Sequence, residues 1–91
     1  MTPNDVLRVP DSVAARRIGD ETILLNLQTG TYFGLDIVGS RFLDLLERDG
    51  KLAVVLRTML EEFDVKPETL EVDILRLSEE MRSKGLLETV S

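Results

Sequence analysis

Apolar and polar positions alternate through the first third of the chain and then change period. Ile23, Leu25 and Leu27 recur at every second residue, the chain reverses at Gln28-Thr29-Gly30, and Thr31-Tyr32-Phe33-Gly34-Leu35 resumes the alternation. Period two on both sides of a turn signal predicts a β-hairpin, and the switch to helical spacing at Asp36 runs that hairpin directly into a helix. A three-residue loop needs positive φ at its last residue, which Gly30 adopts without a Cβ clash. That register pairs Leu27 with Thr31, Leu25 with Phe33 and Ile23 with Leu35. It sets every larger apolar residue except Leu24 and Tyr32 on one face. A two-residue Thr-Gly loop would instead put Phe33 beside Asn26 and Leu25 beside Gly34, and is disfavoured for that reason.

Upstream, residues 1–5 are polar, contain Pro3 and are expected to be flexible. Val6–Val9 reads as a short extended piece stopped by Pro10, and Val13–Ile18 as a first strand that turns at Gly19-Asp20. Downstream, Asp36 is placed to cap a helix over 36–48 whose inner face is Val38, Phe42, Leu45 and Leu46. Gly39 inside it costs ~1 kcal/mol relative to Ala, which points to close approach of another backbone. A second helix over 51–63 carries Leu52, Val55, Met59, Leu60 and Phe63 as its stripe. Pro67 opens a third over 67–84, where its missing N–H leaves no bond unmade. Leu70, Ile74, Leu77 and Met81 form the core face of that helix, while Val72 and Leu75 form a second stripe continued by Glu79 and Arg82. Gly85 suits a left-handed cap, with Leu86 and Leu87 folding back onto the core. The fold class is therefore α+β: one domain over residues 1–91, a three-stranded antiparallel β-meander followed by three helices packed on one face.

The hairpin also carries an ordered motif: Leu25-Asn26-Leu27, Thr29-Gly30, Tyr32, Leu35-Asp36 and Gly39. Near the C-terminus Asp73-Ile74, Leu77, Met81 and Gly85-Leu86-Leu87 follow at fixed spacing. Together these resemble the PqqD-like proteins, winged-helix-like modules also called RiPP recognition elements, which bind the leader segment of ribosomally made precursor peptides. The run from Leu27 through Thr29-Gly30, Tyr32 and Leu35 to Val38-Gly39 is similar to that of the free-standing versions that accompany lasso-peptide maturation. Two positions depart from the pattern: Asp36 stands where Asn is commoner, and Ser78 where an apolar residue is usual.

Composition narrows the chemistry. The chain has no Cys and no His, which removes disulfides, thiolate and imidazole nucleophiles and Cys/His zinc sites. Its 17 carboxylates, such as Glu61-Glu62-Asp64 and Glu79-Glu80, sit in exposed helical phases where nothing would raise a pKa toward neutrality. No catalytic residues, no cofactor and no metal are expected. The net charge of −6 opposes nucleic acid and anionic membranes, and no run is long and apolar enough to span a bilayer. Without a signal peptide, a soluble cytoplasmic protein is the expectation.

Two alternatives share this outline. A winged helix can be a DNA-binding regulator, but residues 67–84 hold five carboxylates against three cations, a poor surface to stand among phosphates. A protein-docking domain without a peptide groove would have the same core. The meander favours a groove, because its third strand is an edge on which an extended peptide can add. The resemblance implies the same place: a leader lying between the third strand and the third helix. The expected peptide-binding residues are Thr31, Tyr32, Phe33, Gly34 and Leu35 on the strand, with Val72, Leu75 and Glu79 on the helix. The expected partners are a precursor leader peptide and a leader peptidase or other maturation enzyme.

Overall fold

The local signals at element ends act as expected. The Asp36 carboxylate accepts from the Gly39 N–H at 2.8 Å and starts helix α1, Ile37–Arg48. Pro67 stands in the first turn of helix α3, Pro67–Ser83, and between them lies α2, Leu52–Glu62. Gly85 takes φ +71° just beyond α3, and Leu86 N–H donates back to the Met81 carbonyl at 2.9 Å. Leu86 and Leu87 are then buried in the core, as their spacing implied. The computed structural model describes residues 1–90; Ser91, the last residue of the expected domain, lies outside the described residues.

Three strands, β2 (Val13–Ile18), β3 (Glu21–Asn26) and β4 (Tyr32–Leu35), form an antiparallel sheet in the order β2-β3-β4. The α+β meander followed by three helices is thus the observed architecture. A second, two-stranded sheet pairs β1 (Val6–Arg8) with β5 (Glu88–Val90) and was not anticipated beyond the extended character of residues 6–9. Leu7 at the centre of β1 is buried, and its N–H donates to the Gly50 carbonyl at 2.8 Å. An added Cβ on Gly50 would stand 2.6 Å from the Leu7 carbonyl oxygen, so glycine lets the chain ends close on the helix junction. Thr2–Asp5 close a hydrogen-bonded turn beside this small sheet.

The hairpin register differs from the expected one by a single residue. Leu24 faces Phe33 and Thr22 faces Leu35, around a loop of Leu27 to Gly30. A one-residue slip exchanges the two faces of a strand. Thr22, Leu24 and Asn26 therefore point into the core, while Ile23 and Leu27 are exposed. Side-chain hydrogen bonds select this register over the more apolar one. Thr22 Oγ1 donates to Ser40 Oγ at 2.8 Å, and Ser40 Oγ donates to the Leu35 carbonyl at 3.4 Å. Asn26 Oδ1 accepts from the Gln28 and Thr29 N–H groups at 2.9 and 3.2 Å, and Nδ2 donates to the Lys84 and Gly85 carbonyls at 3.4 and 3.1 Å. Asn26 thus ties the hairpin loop to the end of α3. Every buried polar group in this set is satisfied, which offsets its desolvation.

The core is aliphatic around Phe42, with Leu24, Leu35, Leu46, Leu52, Val55, Met59, Leu70, Ile74 and Met81 packed about it. Val38, expected inside, is instead at the surface near the start of α1. Gly39 is also explained differently from the expectation. An added Cβ would meet Leu35 Cδ2 at 3.1 Å, Leu35 Cβ at 3.3 Å and the capping oxygen of Asp36 at 3.4 Å, so local side chains rather than a second backbone leave no room. Across the surface, Arg41 clasps Glu62 with two hydrogen bonds of 2.7 and 2.6 Å and joins α1 to α2.

Candidate peptide-binding site

Strand β4 is an edge: β3 lies on one side of it, and no described strand pairs with the other. Hydrogen-bond phase decides which of its groups are free. Asn26 N–H donates to the Thr31 carbonyl at 2.9 Å, which makes that pair a hydrogen-bonded one. Bonded and non-bonded pairs alternate along an antiparallel ladder. Phe33 and Leu35 therefore turn their backbone groups toward β3, and Tyr32 and Gly34 turn their N–H and C=O groups outward.

Beside this edge runs a groove of about 480 Å³. Phe33, Gly34 and Leu35 supply one wall, the start of α1 (Asp36, Val38, Gly39) closes one end, and Asp73, Ile74, Leu77 and Glu80 of α3 form the opposite wall. Ile74 is buried beneath the groove and Leu77 is half-buried at its rim. Of the expected strand residues, Phe33, Gly34 and Leu35 line this groove, and Phe33 and Leu35 also pack with the core. Thr31 precedes β4, and its Oγ1 accepts from Thr29 Oγ1 at 2.9 Å. Tyr32 is 68% exposed on the far face of the sheet, with Ile18 and Ile23.

The expected helix residues stand on another flank of α3. Val72, Leu75 and Glu79 do not line the groove. Val72 is 52% exposed, Leu75 packs against the core from outside the groove, and Glu79 pairs with Arg82 at 2.9 Å. The reason is helical phase. The buried stripe of Leu70, Ile74 and Met81 has two flanks, one carrying residues 73, 77 and 80 and the other 72, 75 and 79. Only the first turns toward β4. The spacing of Asp73, Leu77 and Glu80 at four and three residues is visible in the sequence, but Leu77 also fits the period of the core stripe.

Nothing in this groove suggests bond-making chemistry. On the α1–α2 clasp, away from the groove, the Arg41 guanidinium pKa is raised and the Glu62 carboxyl pKa lowered, each chiefly through their mutual hydrogen bonds. Among the described residues no group of three or more carboxylates gathers as a metal site, and no helix is long and apolar enough to cross a membrane.

Residues 21–87, from the start of β3 to the buried pair after α3, match the family of coenzyme PQQ synthesis protein D (PqqD). This chain belongs to the PqqD family. Its membership bears out the resemblance seen in the hairpin and C-terminal motifs, which the hydrogen bond from Asn26 to the Gly85 carbonyl joins in space. The PqqD fold is shared with TbiB1, solved in complex with the TbiA(beta) leader peptide, at 39% identity and a TM-score of 0.85 over 92% of this chain and 98% of TbiB1. No curated protein sequence matches the chain.

Proposed function

We propose that this chain is a RiPP recognition element. It captures the leader of a ribosomally synthesised precursor peptide as a fourth strand along β4, and it catalyses no reaction itself. The observation that carries this reading is the free edge of Tyr32 and Gly34 beside the groove, in a fold shared with a leader-bound relative. Backbone bonds to that edge supply affinity irrespective of sequence, and alternate leader side chains enter the groove and supply specificity. Thr31 to Leu35 contribute the strand. On the helix, Asp73, Ile74, Leu77 and Glu80 of the groove wall meet its side chains, with Val72, Leu75 and Glu79 on the adjoining flank of α3.

The proposed consequence is presentation. A leader held on this module raises the effective concentration of its precursor for a leader peptidase or other maturation enzyme, which needs little affinity of its own. The run from Leu27 to Gly39 supports assignment to lasso-peptide maturation. The acidic wall of α3 opposes the DNA-binding alternative.

Titration with fluorescent precursor leader peptides, the TbiA(beta) leader bound by TbiB1 among them, tests the reading. Leu77→Glu replaces an apolar rim anchor with a charge and is expected to weaken binding by at least ~1 kcal/mol, about fivefold. Arg57→Ala, on the exposed side of α2, serves as the control and is expected to bind as wild type. Normal binding by a folded Leu77→Glu variant would place the leader elsewhere.

A further inference from the structure

The groove has a charge as well as a shape. Three carboxylates line it, Asp36, Asp73 and Glu80, and no Lys or Arg does. Outside the groove four acids are ion-paired: Asp44 with Arg17, Glu62 with Arg41, Glu79 with Arg82 and Glu88 with Arg8. The groove carboxylates are left largely unmatched. Asp36 gives one oxygen to the Gly39 N–H. Asp73 meets Arg76 only at 3.9 Å, with both side chains more than half exposed. The Glu80 side chain makes no ion pair or hydrogen bond among the described residues. Between these charges the walls are apolar: Phe33, Leu35 and Leu77. The net charge of −6 adds a long-range field of the same sign.

Resting on strand addition at β4 as proposed above, we infer that the leader recognised here is cationic as well as apolar. On the alternate residues that face α3 it carries an apolar anchor for Leu77 and at least one Lys or Arg that meets Asp73 or Glu80. Apolar contact holds the peptide, and the carboxylates select among strands that fit equally well. A leader with Asp or Glu at those positions would bring like charges together at the rim, and discrimination between peptides includes such repulsion.

The test uses a displayed library of random 12-residue peptides, selected on the full chain. The expected outcome is enrichment of peptides that combine alternating apolar residues with Lys or Arg, and whose binding is lost in Leu77→Glu. Replacing the Lys or Arg of such a peptide by Gln is expected to weaken it about two- to fivefold, the scale of an exposed charge pair. Binding should also weaken with added salt. The double variant Asp73→Asn, Glu80→Gln should lose both the preference and most of the salt dependence. Glu61→Gln, an acid outside the groove, should keep them, which separates local recognition from general attraction to an acidic protein. Leu77-dependent peptides that are neutral or acidic would overturn the charge inference and leave strand addition standing. A preference unchanged in the double variant would also overturn it. Failure to select any Leu77-dependent peptide would overturn the groove reading itself, and the inference with it.

Discussion

Asn26 is the residue whose loss should most directly separate the hairpin from the helices. It is buried, yet it carries a carboxamide, and all of its hydrogen-bonding reach is used on two segments distant in sequence. Asn26→Ala would strand two loop N–H groups and two carbonyls at the end of α3. The Gln28 contact at 2.9 Å and the Gly85 contact at 3.1 Å are the shorter ones. At about 1 kcal/mol net for each of those two, with the longer pair adding little, the loss comes to about 2 kcal/mol. For a domain of this size that corresponds to a fall in Tm of roughly 8–16 °C. Asn26→Asp sharpens the test. It keeps the acceptor for the loop, removes the donor, and sets a carboxylate against the Gly85 carbonyl, so its loss should be at least as large. Urea unfolding followed by far-UV circular dichroism at neutral pH measures both. A loss below ~0.5 kcal/mol for the alanine variant, or wild-type stability for the aspartate variant, would refute the assignment of Asn26 as the tie.

Two further outcomes are expected from the same physical terms. Ser78 is fully buried and its Oγ has no hydrogen-bond partner among the described residues, so Ser78→Ala removes an uncompensated desolvation and should raise the urea midpoint, by up to ~1 kcal/mol in stability; a clear loss would reveal a hidden partner. Glu62 is held below its ordinary value of 4.5, first by hydrogen bonds from Arg41 and then by its charge, so the ion pair contributes fully above that value and is lost as pH falls through the lower folded-state one. Glu62→Gln should therefore be less stable than wild type at neutral pH, with a gap that closes as the solution is acidified below 4.5; a gap that widens in acid would contradict the sign.

Helix ends were legible in the sequence because their causes are local. Asp36 caps within three residues, Pro67 acts through its own missing N–H, and Gly85 answers a backbone angle. The sheet order and its edge strand were equally readable from alternation and turn residues. The hairpin register was not, because it is set by bonds from Asn26 to Gly85 and from Thr22 to Ser40, whose partners lie far along the chain. Counting apolar residues on a face preferred Ile23 and Leu25, whereas two satisfied polar side chains flanking Leu24 prevailed. The small sheet of β1 and β5 escaped for a related reason: each strand has three residues, too few for a period. On α3 the core stripe was plain, but its two flanks look alike in sequence, and only the packing of the helix against β4 distinguishes Leu77 from Leu75.

Strand addition along β4 is tested most directly by amide hydrogen exchange, measured residue by residue with and without a bound leader. Tyr32 and Gly34 turn their N–H groups to the open edge, whereas Phe33 and Leu35 already donate toward β3. The account predicts that the amides of Tyr32 and Gly34 gain protection on binding, while Phe33 and Leu35 change little. Saturable leader binding that leaves Tyr32 and Gly34 exchanging as in the free protein would contradict it.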